Sequence, residues 1–104
     1  MRARIRISWT PTASPGLHHQ RVEVYGTNGQ LLTADLDSGT TIQELLVDEN
    51  QYLNIYVYSL NSQNQGNSAS VNMYIPTYVA PDTTPVEAIP DAPSNLSVEI
   101  IGWE

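Results

Sequence analysis

Apolar and polar positions alternate with a period of two along most of this chain. Ile5, Ile7 and Trp9 alternate with Arg4, Arg6 and Ser8, the pattern of a strand that buries one face. Val22 and Val24 alternate with Arg21, Glu23 and Tyr25 in a second strand. Asn28-Gly29 follows as the expected positive-φ pair of a tight turn, so residues 20 to 36 read as a hairpin. The cluster Asp35-Leu36-Asp37-Ser38-Gly39 marks a turn before a short strand from Thr40 to Val47. Ile42, Leu45 and Leu46 also fit one helical turn, but the β-branched Thr40 and Thr41 and the short length favour strand. Tyr52 to Leu60 sets Leu53, Ile55 and Val57 on one face and Asn54, Tyr56 and Tyr58 on the other. After the polar loop 61–67, Val71, Met73 and Ile75 alternate through a further strand.

From Pro76 the pattern breaks. Five of the seven prolines fall within residues 76–93, at spacings that exclude helix and central strand. An extended arm of this length reaches about 55 Å. Leu96, Val98 and Ile100 then resume the alternation, ahead of Ile101-Gly102-Trp103-Glu104. The expected organisation is a sandwich over 1–75, an arm over 76–93 and a strand-forming segment over 94–104.

The motif Ile5-Arg6-Ile7-Ser8-Trp9-Thr10-Pro11 resembles strand B of fibronectin type III domains, and Gln20-Arg21-Val22-Glu23-Val24-Tyr25 is similar to strand C. Residues 47–61, followed by Gly66 and Ser68, resemble the E–F corner, strand F and the F–G loop. The likeness covers about residues 4 to 75 and implies an all-β, fibronectin type III or immunoglobulin-like antiparallel sandwich. It departs at Leu53, where the family places its corner tyrosine, at Gln20 and Val24, where tyrosines are usual, and at Glu44, where an inward apolar residue is expected. The family's first strand, with a Pro-x-x-Leu-x-Val pattern, is missing ahead of Ile5. That pattern stands instead at Pro93-Ser94-Asn95-Leu96-Ser97-Val98. The C-terminal segment is therefore expected to supply strand A beside strand B, in its own subunit or in a neighbour.

Composition narrows the function. Eleven acids oppose four bases for a net charge of −7, which excludes a general nucleic-acid binder. Lysine and cysteine are absent, removing Schiff-base, thiolate and cysteine-ligated metal chemistry. No apolar run of about 18 residues spans a membrane, and the N-terminal residues lack the apolar core of a signal peptide. Neutral Ser, Thr, Asn and Gln make up 32 of the 104 residues, so hydrogen-bonding groups carry most of the solubility.

Candidate chemistry is sparse. His18 and His19 are expected to point apart on an extended chain and so to leave no metal site. Asp35 to Gly39 starts like a calcium loop, but its glycine is one position early, so an ordinary turn is expected. No nucleophile–base motif or carboxylate pair suggests catalysis, and neither catalytic residues nor a cofactor or metal is expected. The candidate interface residues are Arg2, Arg4 and Arg6 on the first strand, and Tyr56 and Tyr58 as an exposed aromatic row able to anchor a protein or stack a sugar. Leu96, Val98, Ile100 and Trp103 join them from the C-terminal segment. The arginines are expected to attract the acids of the arm, Asp82, Glu87, Asp91 and Glu99.

The resemblance, the arm and the missing leader together suggest a non-enzymatic structural virion protein of a bacteriophage: a head decoration (cement) or small tail component, assembled in the host cytoplasm. Its expected partners are copies of itself, other capsid or tail proteins, and a host-surface glycan, with no nucleic acid and no membrane. The alternative is a carbohydrate-binding or spacer module of a secreted or cell-surface bacterial multidomain protein.

Overall fold

The computed structural model describes residues 1–79 and 96–104 and is all-β in those residues. Seven strands form two antiparallel sheets packed as a sandwich: β1 (Arg2–Ser8), β2 (His19–Gly26), β3 (Gly29–Asp37), β4 (Ile42–Asp48), β5 (Gln51–Leu60), β6 (Gly66–Ile75) and β7 (Ser97–Trp103). One sheet has three strands in the order β4-β1-β7, and the other has four in the order β3-β2-β5-β6.

Each strand buries the face its alternation predicts. Ala3, Ile5 and Ile7 of β1 lie fully inside, as do Val22 and Val24 of β2 and Leu53 and Ile55 of β5. Val47, Val57, Ile75, Trp9 and Leu96 complete the buried cluster, with Leu45, Val71, Met73, Val98, Ile100 and Trp103 among the residues packed against it. Removing this aliphatic surface from water is what holds the two sheets together.

The C-terminal strand β7 pairs antiparallel with β1, setting Val98 opposite Ile7 and Ile100 opposite Ile5. The register then shifts, so that Ile101 is an extra residue and Trp103 falls opposite Ala3. That bulge returns the tryptophan to the core side, where an unbroken alternation would have put Gly102. The backbones of Arg2 and Glu104 close the ladder with reciprocal hydrogen bonds of 3.1 and 3.0 Å.

Four local expectations are corrected. The β2–β3 turn is centred on Thr27-Asn28, with Gly26 paired to Gly29, and the positive φ (122°) falls on Gly29 while Asn28 keeps a negative φ. β4 starts at Ile42 and its inward residues are Gln43, Leu45 and Val47, so Glu44 faces out. It faces out because Arg6 is its cross-strand neighbour on β1 and pairs with it. β6 begins at Gly66, inside the stretch read as loop. His18 precedes β2 and escapes the strand alternation, so its ring meets that of His19 edge-on, with centroids 5.1 Å apart. Most of the proline-rich arm, with Asp82, Glu87 and Asp91, lies outside the described residues.

Candidate functional site

The sequence-predicted interface residues separate into three places. Arg2, Arg4 and Arg6 project from the outer face of the three-stranded sheet, where β1 is the central strand. Acids flank them on both neighbours. Arg6 reaches Glu44 at 3.4 Å and Glu99 at 3.8 Å, Arg4 reaches Glu104 at 3.1 Å and Glu44 at 4.0 Å, and Arg2 reaches Asp48 at 3.7 Å. These arginines are thus partnered within their own sheet. Leu96 is buried in the core, and Val98, Ile100 and Trp103 pack against it. Trp103 also meets the Tyr78 ring at 5.2 Å.

Tyr56 and Tyr58 lie on the opposite side of the molecule, on the outer face of the four-stranded sheet. Strand register lays that face out in rows. Asp35, Arg21, Tyr58 and Ser68 form one row, and Thr33, Glu23, Tyr56 and Ser70 the next. Gln30, Tyr25, Asn54 and Asn72 follow, and Tyr52 with Tyr74 ends the face. Five of the six tyrosines therefore share one surface, among amides, hydroxyls and a few charges.

The rings are organised. Tyr56 meets Tyr25 edge-on at 5.9 Å and stacks near Tyr58 at 6.3 Å, while Tyr52 and Tyr74 tilt together at 4.8 Å. The first three are half-buried against one another and, with Glu23 and Asn54, line a shallow depression of about 390 Å³. Tyr52 and Tyr74 stand well into solvent at 68% and 47% exposure, which makes them the accessible end of the face.

Charge within the face is also fixed in place. The Tyr25 hydroxyl donates to Glu23 Oε1 at 3.0 Å, and this bond to the carboxylate raises its pKa. Desolvation raises the pKa of Tyr58, and the Glu23 charge adds to it. Arg21 Nε donates to Asp35 Oδ1 at 2.7 Å, which holds the Asp35 carboxyl below the usual carboxylate range and raises the Arg21 pKa.

Tyr52 and Tyr74 are not among the interface residues expected from sequence. Tyr52 shares the even-numbered phase of Tyr56 and Tyr58, a signal sufficient to place it beside them. Tyr74 needed the β5–β6 register, which periodicity alone does not supply.

The histidine pair brings Nδ1 atoms to 2.9 Å, and no cluster of three metal-ligating side chains occurs among the described residues. Asp37 and Thr40 form an ordinary turn, with the Thr40 hydroxyl donating to Asp37 Oδ1 at 2.9 Å. A second depression at one pole is lined by Thr12, Ser14, Leu17, Ser59, Asn61 and Gln65, all neutral. No family model matches the chain, and neither a curated protein nor a solved structure matches it.

Proposed function

We propose that this protein is a non-enzymatic structural component of a bacteriophage particle, a head decoration or small tail protein that binds neighbouring subunits. The observation that carries this reading is the five-tyrosine face. Large amphipathic rings set among Ser, Asn and Thr give broad contact area at low entropic cost together with adaptable hydrogen bonding, the chemistry that suits a protein-binding surface. Mutual packing of Tyr25, Tyr56 and Tyr58 pre-organises the surface before any partner arrives.

The sheet orders support the fibronectin type III-like reading of the fold. If β7 stands for strand A, then β4-β1-β7 reads as E, B and A, and β2-β5-β6 reads as C, F and G, the sheet partition of that class of sandwich. On this reading the arm carries strand A back to strand B from the far end of the chain.

A second reading, a carbohydrate-binding module, is favoured by the exposed Tyr52–Tyr74 pair with Asn54 and Asn72 in the adjoining row. Aromatic faces beside amides can stack a sugar ring and bond its hydroxyls. One comparison separates the two. Peptides of this chain at fixed copy number in gradient-purified particles, with uptake lost on Tyr52→Ala/Tyr74→Ala, support the structural reading. Absence from particles, together with glycan-array binding that the same double variant abolishes, overturns it in favour of the module.

A further inference from the structure

Strand β6 is the outer strand of the four-stranded sheet, bonded to β5 on one side, and no described strand pairs with its other side. Its ten residues, Gly66 to Ile75, contain neither a charged side chain nor a proline. A row of unpaired backbone N–H and C=O groups is a template for another strand, and proteins ordinarily blunt such edges with charge, proline, bulges or short length. β6 has none of these devices. It is as long as any strand in the sandwich, and Gly66 to Ser70 are exposed, with no side chain larger than asparagine to shield the backbone.

The other edge strands differ in a way that selects the occupant. β3 carries Asp35 and Asp37, β4 carries Glu44 and Asp48, and β7 carries Glu99. Pairing any of them with its own copy places carboxylates from both chains in or at the ends of the seam, in a chain whose net charge is already −7. Among the described edge strands, β6 alone lets two copies meet along an uncharged seam, with Ser, Asn and Ala at its centre.

We propose that β6 pairs antiparallel with β6 of a second copy, across a two-fold axis perpendicular to the sheet, so that the two four-stranded sheets become one continuous sheet. Side-chain alternation restricts the register to those in which even positions meet even positions. A register centred on Ser70 sets Ser68 opposite Asn72 on the outer face and Ala69 opposite Val71 on the inner face. The two tyrosine faces then lie side by side on the same side of the dimer. A partner with repeated sites is thereby held bivalently, which raises avidity without any new contact. The inference goes beyond the function proposed above and does not depend on particle membership, because its test reads the edge and not the face.

The test is sedimentation velocity of the full chain from low micromolar to millimolar concentration. The native protein is expected to reach twice the mass of one chain. Ala69→Lys and Ser70→Lys, which put like charges beside the axis on the inner and outer sides, are expected to stay at the mass of one chain while keeping the strand signature in far-ultraviolet circular dichroism. Should Ala69→Lys not fold, Ser70→Lys carries the test through a side chain that points to solvent. A native chain that remains single throughout the range overturns the inference, as does doubled mass retained in the folded variants. A single native chain that takes up an added strand peptide at β6 also overturns it, in favour of another occupant.

Discussion

The indole N–H of Trp9 donates to the side-chain oxygen of Gln20 at 2.8 Å inside the sandwich. The amide nitrogen of the same glutamine donates to the carbonyls of Asp37 and Thr40, each at 2.9 Å. One buried side chain thus joins the end of β1, strand β2 and the β3–β4 turn, which links the two sheets. Replacing it by an apolar residue of similar size leaves three polar groups without this partner. Gln20→Leu is expected to cost about 2–4 kcal/mol and to lower the melting midpoint by about 10–20 °C. Differential scanning calorimetry checks the value, and a midpoint within a few degrees of native contradicts the account.

The apolar and ionic contacts of β7 differ in weight. Ile100 packs against the core opposite Ile5, so Ile100→Ala is expected to cost about 2–4 kcal/mol. Arg4 binds Glu104 at 3.1 Å, but its side chain is 36% exposed and Glu104 is 55% exposed. Solvent screening leaves such a pair at about 1 kcal/mol or less. Urea denaturation of Ile100→Ala and Arg4→Ala at low and high salt separates the two. The arginine variant alone should lose its deficit as salt rises. The opposite ranking would mean that the arginine row, and not the core, fastens β7.

The elements legible in the sequence were those whose two faces differ in kind. β1 sets Ala3, Ile5 and Ile7 against arginines, and β5 sets Leu53, Ile55 and Val57 against tyrosines and asparagine, so their phase was unambiguous. β4 mixes Ile42 and Leu46 into its outward side, and the inward phase at Glu44 was therefore misread. The Ile101 bulge leaves no periodic trace, because one inserted residue resets the phase within a strand of seven. The tyrosine face was legible within β5, with Tyr25 of β2 expected nearby, but its full layout was not. Its continuation across β2 and β6 depends on which strands are neighbours, and that is decided by packing between segments far apart in the chain.

Two tyrosines of the candidate site, Tyr25 and Tyr58, should ionise late. Tyr25 donates to Glu23, and Tyr58 is partly desolvated near the same carboxylate, so both lose their protons above the ordinary tyrosine range. Titration at 295 nm should show a late fraction, and Glu23→Gln should move the Tyr25 part of it down. A titration unchanged by Glu23→Gln would mean that the carboxylate does not govern the face.

Acid should weaken the fold through two carboxylates. Asp35 is held below its ordinary pKa by Arg21, and Glu49 by the backbone N–H of Tyr78 and then by the Met1 amino group. A carboxylate whose folded pKa is lowered contributes stability that is complete above its unfolded pKa and is lost as pH falls through the folded value. The melting midpoint should hold from neutrality to about pH 4 and drop below it. Asp35→Asn/Glu49→Gln should start lower at neutral pH and show a shallower acid limb. A double variant with the native acid profile contradicts the assignment.

Gly66 opens β6 directly after the β5–β6 turn, in which Asn61 Oδ1 accepts the backbone N–H groups of Gln63 and Gln65 at 2.9 and 3.0 Å. A Cβ at this position would stand 1.6 Å from the Ser59 carbonyl oxygen. Backbone cannot swing aside as the tip of a side chain does, so the strand ends must part. Gly66→Ala is expected to cost about 3 kcal/mol, near the upper end for overpacking. Gly29→Ala meets no such contact and suffers only the strain of its φ of 122°, about 1–2 kcal/mol. Hydrogen exchange distinguishes local from global damage. In Gly66→Ala the amides of Leu60 and Gly66 should lose protection, while those at the other end of the ladder, where Gln51 pairs with Ile75, keep theirs. Equal loss along the whole ladder would mean that the turn nucleates the entire sheet, and unchanged stability would mean that the strands do not approach so closely at Gly66.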